Sequence, residues 1–118
     1  KKLIHAHPGD LPMFRGSTTI YYNIILKKEV CVSIIEINRK IDGGRILHKK
    51  KFKIPKKKIL IEKDFDNIIR AKSLVSYLKL SVKKKPKIQK ISSQAMPYYI
   101  AHPTIRQIVL NKNILKND

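Results

Sequence analysis

The sequence predicts an α/β fold in which a short mixed sheet is flanked by two to three helices. Short runs rich in Val and Ile predict strands, and other segments place their apolar residues at helical spacing. The 118 residues, of which 42% are hydrophobic, are enough for one core and no more. We therefore expect one domain, or one piece of a domain, over residues 1–118.

Three segments are predicted as strands. Lys2–Ala6 forms a short strand that enters a turn punctuated by proline and glycine. Glu29–Asn38 is β-branched and apolar on both faces, which is typical of a strand in the middle of an α/β sheet. Arg45–Ile54 alternates in polarity, and this pattern predicts a partly exposed or edge strand. The expected sides are Ile46, His48, Lys50, Phe52 and Ile54 on one, and Leu47, Lys49, Lys51 and Lys53 on the other.

Three segments are predicted as helices. Ser17 or Thr18 can cap the first, and Asp64 can cap a second that runs over residues 65–80. Pro103 suits the first turn of a third helix. The positions expected to face the core are Ile20, Tyr21, Ile24 and Ile25 in the first helix, Phe65, Ile68, Ile69, Ala71, Leu74, Val75 and Leu78 in the second, and Ile105, Ile108, Val109 and Leu110 in the third.

The net charge of +19 arises from 27 Lys and Arg against 8 Asp and Glu, a balance typical of nucleic-acid binders. Only five of these are Arg, which phosphate recognition usually recruits for its bidentate geometry. Lysines spread along the whole chain, with abundant Ile and Asn, favour a composition imposed by an AT-rich genome. A non-catalytic, basic nucleic-acid-binding module stays the alternative, and the positive field would also attract an anionic substrate.

The single cysteine, Cys31, cannot form an internal disulfide and therefore predicts a reducing compartment, the cytoplasm. Its neighbours Val30 and Val32 predict a strand, in which a cysteine usually behaves as a small hydrophobic residue. No run reaches the roughly 18 apolar residues that a membrane-spanning helix needs, so we expect no membrane contact.

His5 and His7 stand at alternate positions at the end of the first predicted strand, before a loop bounded by prolines. Ligand crevices of open α/β sheets form at the carboxyl ends of strands, so both imidazoles are candidates for a site. No third His, Cys or Glu follows at ligand spacing, and the sequence therefore predicts no metal site.

The segment from His7 to Pro12 (HPGDLP), followed by Arg15-Gly16, resembles the signature of folate-dependent formyltransferases. That family also has an Asp in a Leu-Asp-Gly-Gly turn downstream of its His. Here Asp42, followed by Gly43 and Gly44, stands 35 residues after His7, as the family spacing requires. The resemblance extends from residue 3 to about residue 55.

The resemblance implies that the chain is the C-terminal part of a Rossmann-like formyltransferase domain, with 10-formyltetrahydrofolate as formyl donor. It assigns proton transfer to His7 and the orientation of that imidazole to Asp42. His5 stands where the family has an Asn whose amide helps to hold the formyl oxygen, and a ring N–H of His5 can supply the same donor.

Four further residues are candidates for binding substrate or donor. Arg15 either holds its loop or meets an anionic substrate, and both interpretations stay open. Asp10 either takes part in the site or caps its own turn, and the second is favoured. Gly43 and Gly44 would let the chain turn sharply, through positive φ angles, so that Asp42 faces the crevice.

The resemblance favours a small-molecule amine as acceptor, above all an amino group of an anionic, activated amino sugar used in glycan biosynthesis. Only six residues precede His7, whereas the family places a substantial N-terminal half before this motif. We therefore expect the chain to be part of a longer protein, and to depend on a complementing piece or on a second copy of itself in a homo-oligomer.

Overall fold

The computed structural model describes residues 2–55, 60–85 and 96–112. Among these residues three strands form one sheet and three α-helices pack against it or against one another, which confirms the predicted α/β fold. In chain order the elements are β1 (Ile4–His7), α1 (Thr19–Lys27), β2 (Val30–Glu36), β3 (Ile46–Phe52), a π-helical turn (Ile61–Phe65), α2 (Asp66–Lys83) and α3 (Pro103–Lys112).

The sheet has the order β1-β2-β3, so β2 occupies the central position that its apolar sequence predicts. Both strand pairs are antiparallel, which differs from the mixed sheet expected from the sequence. The difference lies in the path between β1 and β2. The loop of residues 8–18 and α1 leave and return at the same end of the sheet, so β2 runs back alongside β1.

A β-bulge interrupts the pairing of β2 with β3. Ile34 lies opposite His48 and Ile35 lies opposite Ile46, which leaves Leu47 as the extra residue. Ile46 therefore joins Ile35 in a small buried cluster on one face, while Leu47 packs against the main core on the other. The predicted arrangement, with Ile46 on the same side as His48, is wrong because one extra residue reverses the faces.

The main hydrophobic core lies between the sheet and the helices. It draws on β2, on all three α-helices and on the π-helical turn, so that each described helix contributes a buried stripe. Its buried members are Ile20, Tyr21, Ile24, Val30, Val32, Ile34, Ile61, Phe65, Ile69, Ala101 and Val109.

Helix α1 begins directly after Thr18, as predicted, but the hydroxyl of Thr18 makes no capping hydrogen bond. It accepts a hydrogen bond from the backbone N–H of Ala101 at 2.7 Å instead, which ties the start of α1 to the segment before α3. Ile20, Tyr21 and Ile24 are buried as predicted, whereas the expected core residue Ile25 is partly exposed.

Helix α2 differs most from its prediction. Asp64 lies inside the π-helical turn and does not cap the helix. In the turn and the helix, the buried residues are four positions apart and form a single narrow stripe. The stripe is narrow because the helix packs on only one side of a three-stranded sheet. That stripe consists of Ile61, Phe65, Ile69 and Ser73, while the predicted core residues Ile68, Val75 and Leu78 are exposed.

Cys31 is fully buried in β2 between Val30 and Val32, in agreement with its interpretation as a small hydrophobic residue. Burial raises the pKa of the Cys31 thiol to about 11, and the nearby carboxylate of Asp10 acts in the same direction. The thiol therefore stays protonated at neutral pH, and reactivity requires the thiolate.

Helix α3 begins at Pro103, which occupies the first helical position as predicted. The segment before it is held by Tyr98, whose ring packs on those of Phe14 and Tyr22 with centroids 5.7 and 4.4 Å away. In the part of the chain that the structure describes, no helix combines the length and the apolar character needed to cross a membrane.

Candidate active site

The alternation of β1 places His5 and His7 on one face of the sheet. They lie opposite Ile35 and Ser33 of β2, at the end of the strand where the chain enters the loop of residues 8–18. The side chain of His7 is only 2% exposed, whereas that of His5 is 38% exposed. The same strand therefore offers one enclosed imidazole and one accessible imidazole.

The tautomer of His7 follows from its partners. Its Nε2 lies 2.5 Å from the carbonyl oxygen of Phe14, which can only accept, so Nε2 carries a hydrogen. The hydroxyl of Thr19 also lies near Nε2, at 3.4 Å, and donates its own hydrogen to the carbonyl of Pro8. In the neutral ring, Nδ1 consequently bears a lone pair, and this atom lies 3.4 Å from Oδ1 of Asp42.

Asp42 reaches His7 from a tight turn. The backbone N–H of Gly43 donates to the carbonyl of Lys40 at 3.2 Å, and Asp42 itself adopts a left-handed conformation with φ 45°. The expectation that Gly43 and Gly44 supply positive φ angles is wrong, because Asp is among the few residues that tolerate this region. Gly44 is needed for close approach, since a Cβ there would overlap the carbonyl oxygen of Glu36.

Residues 15 and 16 hold the Asp42 turn in place. The guanidinium of Arg15 donates to the carbonyl of Ile41 from Nε and Nη2, at 3.0 and 2.7 Å. The backbone N–H of Gly16 donates to Oδ2 of Asp42 at 2.8 Å. Of the two interpretations of Arg15, the geometry supports the one in which it holds a loop.

Asp10 anchors the first loop to the edge strand. Its carboxylate accepts a hydrogen bond from Nζ of Lys49 at 2.7 Å, and the same ammonium also donates to the carbonyl of Leu11. Ser33 adds a second anchor by donating to the carbonyl of Gly9 at 2.7 Å. The carboxylate of Asp10 thus serves a contact distant in sequence rather than the predicted cap of its own turn.

A crevice of about 950 Å³ opens over the histidines. Among the described residues, those that line it include His5, His7 and Asp42, whereas Asp10, Arg15, Gly43 and Gly44 do not line it. Its remaining lining includes Thr19, Glu62, Asp66, Arg70, Met96, Tyr98, Tyr99, Ile100 and Arg106.

Two arginines of this crevice were not singled out from the sequence. Arg70 pairs with Asp66 at 2.8 Å, and Arg106 pairs with Glu62 at 2.8 Å. The spacing of Asp66 and Arg70 is visible in the sequence as a helical i,i+4 pair. The position of Asp66 and Arg70 beside β1 is decided by the packing of α2, so the sequence contains no signal for it.

Burial lowers the pKa of His7 below its ordinary value of 6.5. Asp42 and the hydrogen bond to Phe14 oppose this shift, because both favour the charged ring. His5 and Arg70 reinforce it through like-charge repulsion. The net result is an imidazole that is neutral near pH 7.

Because the pKa of His7 is lower in the folded than in the unfolded chain, the unfolded state binds more protons below pH 6.5. We therefore expect the contribution of His7 to stability to be complete above about pH 6.5 and to be lost as the pH falls through the folded pKa. Urea unfolding, measured with a chelator present at pH values from about 7.5 to about 5, gives the free energy of unfolding. This free energy should depend less steeply on pH in His7→Gln than in the unaltered chain.

His102→Gln is the matched control, because His102 is exposed and lies outside the crevice lining. It should keep the pH dependence of the unaltered chain. The burial-lowered pKa of His48 contributes in the same direction in every variant and cancels in the comparison. An unchanged pH dependence in His7→Gln would contradict the assignment.

No family model matches the chain. The methionyl-tRNA formyltransferase of Wolbachia pipientis subsp. Culex pipiens is 41% identical over 54 residues, which span 45% of this chain and 18% of that protein. Among solved structures, WlaRD, a sugar 3N-formyltransferase, superimposes on 83% of this chain and 36% of its own with a TM-score of 0.63 at 21% identity.

The formyltransferase PseJ from Anoxybacillus kamchatkensis is similar over 80% of this chain and 51% of its own, with a TM-score of 0.61 at 15% identity. The fold is similar to part of the fold of these formyltransferases. The family resemblance seen in the sequence is thereby confirmed. This formyltransferase-like chain spans about half or less of the length of each relative it matches.

Proposed function

We propose that the chain is the catalytic part of a formyltransferase that transfers a formyl group from 10-formyltetrahydrofolate to an amine. The observation that carries the proposal is the contact of the neutral, buried His7 with Asp42, 3.4 Å apart, at the wall of the 950 Å³ crevice. The structure of PseJ contains tetrahydrofolate, and that of WlaRD contains 5-N-formyl-THF, which supports a folate as the donor.

The crevice fits a donor of this kind. Its volume lies at the upper end of the range for small-molecule sites, about 300–1,000 Å³. Met96, Tyr98, Tyr99 and Ile100 give one side of it the apolar and aromatic surface on which a flat ring system packs. When bound, 10-formyltetrahydrofolate supplies the formyl carbon that the amine attacks.

His7 provides the base. An amine that forms a bond to a carbonyl carbon must lose a proton, and the lone pair on Nδ1 of His7 can accept it. The carboxylate of Asp42 then faces an imidazolium 3.4 Å away and stabilises it by charge. The Phe14 carbonyl holds the ring through Nε2, so the accepting nitrogen keeps its direction. The same proton returns to the departing nitrogen as its bond to the formyl carbon breaks.

His5 provides a donor at the open side of the site. A carbonyl oxygen under attack gains negative charge, and a positioned N–H group lowers the energy of that state. Nε2 of His5 lies 4.0 Å from Oδ1 of Asp42, on an imidazole that is accessible from the crevice. Arg15 and Gly16 contribute indirectly, because they fix the Asp42 turn against β1.

The proposed acceptor is an amino group of an anionic, nucleotide-linked amino sugar. The net charge of +19 attracts anions to the protein as a whole, while Arg70 and Arg106 in the crevice are each paired with a carboxylate. The structures of PseJ and WlaRD contain a UDP-linked sugar and dTDP, respectively, which supports this class. The 41% identity to a methionyl-tRNA formyltransferase makes methionyl-tRNA the second candidate.

Incubation of the chain with 10-formyltetrahydrofolate and each acceptor in turn distinguishes the candidates. We expect a formylated product, detected by mass spectrometry, with a dTDP- or UDP-linked amino sugar and none with methionyl-tRNA. Product with methionyl-tRNA alone would overturn the acceptor assignment and retain formyl transfer. Salt-sensitive tRNA binding, with no product from either acceptor, would instead support the basic binding module.

A further inference from the structure

We propose that His5, His7 and Asp42 form a binding site for one divalent transition-metal ion, for which Zn²⁺ is the appropriate probe. Two ring nitrogens and one carboxylate oxygen of these residues all lie within 4.8 Å of one another. As possible metal ligands, the sequence indicated only the two histidines. The fold brings Asp42 to them from 35 residues after His7. The metal ion and the proposed proton transfer use the same atoms of His7 and Asp42, so the chain with metal bound is not expected to transfer formyl groups.

The distances suit a metal of this size. Zn²⁺ binds His nitrogen and carboxylate oxygen at about 2.0–2.2 Å, so tetrahedral geometry places the ligand atoms roughly 3.3–3.6 Å apart. Nδ1 of His7 and Oδ1 of Asp42 already lie 3.4 Å apart. Nε2 of His5 lies 4.0 Å from the same oxygen, on a side chain exposed enough to close the remaining gap.

The hydrogen bonding of His7 supports a cation between these atoms. Its Nε2 donates to the Phe14 carbonyl, so the lone pair of the neutral ring is on Nδ1 and points toward a carboxylate oxygen. Two acceptor atoms that face each other in a buried place repel, and either a proton or a metal ion between them removes the repulsion. A metal ion supplies that charge and uses both lone pairs as ligands.

Hydrogen bonds to His7 and Asp42 orient these ligands, as hydrogen bonds to the ligands do in known metal sites. The Phe14 carbonyl fixes the tautomer and the ring plane of His7. The N–H of Gly16 donates a hydrogen bond to Oδ2 of Asp42 at 2.8 Å. The other oxygen, Oδ1, faces both imidazoles. The ligand atoms of His7 and Asp42 are thus held before any metal enters.

The local charge also permits a cation. A metal ion is bound by two neutral imidazoles and one carboxylate, a ligand set with a net charge of −1, and the nearby Arg70 is paired with Asp66 at 2.8 Å. Nitrogen and oxygen donors of this kind favour Zn²⁺, Fe²⁺, Co²⁺, Ni²⁺ and Cu²⁺ over Mg²⁺ and Ca²⁺. Three protein ligands leave at least one coordination position, and this position faces the crevice.

Zn²⁺ titration against a chromophoric chelator tests the site, with the full chain, any affinity tag removed, and neither donor nor acceptor present. We expect one Zn²⁺ per chain, and an affinity at least roughly tenfold lower in His5→Asn, which keeps a similar polar side chain but loses a ligand. His102→Asn is the matched control, because it also removes one imidazole and should bind as the unaltered chain does.

Co²⁺ provides a second readout. The visible absorption of bound Co²⁺ should appear with the unaltered chain and be absent with Asp42→Asn, whose amide keeps the contact to the Gly16 N–H. Equal Zn²⁺ affinity in His5→Asn and the unaltered chain, or no stoichiometric binding at all, would overturn the proposal. Neither assay measures formyl transfer. A chain that binds Zn²⁺ but transfers no formyl group would therefore support the metal site and contradict only the proposed function.

Discussion

His7→Ala is expected to lower the rate of formyl transfer by roughly 10²–10⁴-fold, the usual loss when a general base is removed. The loss should appear mainly in kcat, because His7 acts on the amine proton during the reaction and, at 2% exposure, offers little surface for binding the substrate. Steady-state kinetics with saturating 10-formyltetrahydrofolate measures the effect.

Asp42→Asn separates charge from structure at the same site. The amide oxygen can still accept from the N–H of Gly16, and Asn tolerates the left-handed φ of 45° as Asp does. A comparable loss of kcat with an unchanged unfolding midpoint is therefore expected from the missing charge alone. His102→Ala should retain full activity, whereas activity surviving in the His7→Ala, Asp42→Asn double variant would refute the proposed chemistry.

Gly44→Ala is expected to destabilise the chain by more than about 2 kcal/mol, with loss of the site. A methyl group at this position would overlap the carbonyl oxygen of Glu36, which belongs to β2 and cannot move without disturbing the sheet. The backbone would have to separate where the N–H of Glu36 donates to the carbonyl of Arg45 at 3.0 Å and where the Asp42 turn is anchored. Urea unfolding monitored by circular dichroism measures the loss.

Gly43→Ala is the matched control for this substitution. Its added Cβ would lie 2.7 Å from Cβ of Lys40, an exposed residue of the same turn that can shift. We expect a clearly smaller loss of stability than in Gly44→Ala. Equal losses in the two variants would show that the contact with Glu36 is not the critical one.

Much of the fold could be predicted from local patterns. The continuous apolar run around Cys31 predicted the central strand, and Pro103 marked the first residue of α3, because both signals depend on neighbouring residues alone. The pairing of His7 with Asp42 was predicted from the resemblance of two motifs and their spacing to the folate-dependent formyltransferases. The structure places these side chains 3.4 Å apart, although the catalytic roles assigned to them stay predictions.

Other features depend on contacts between distant parts of the chain. The bulge at Leu47 places Ile46 on the opposite face of β3 from the one that regular alternation predicts. The alternation of polar and apolar residues does not indicate where a single unpaired residue is inserted. Helix α2 buries a narrower stripe than its apolar residues suggest, since the width of that stripe is set by the three strands beneath it. Asp10 likewise pairs with Lys49 on β3 rather than with its own turn.

The sequence by itself determined the α/β class, the order of the elements and the candidate pair His7 and Asp42, because periodicity and motif spacing are properties of the linear chain. Only the tertiary structure decided which nitrogen of His7 bears the lone pair and that His5 faces the same carboxylate oxygen. Those two facts depend on the Phe14 carbonyl and on the turn of Asp42, which reach β1 only after the chain has folded.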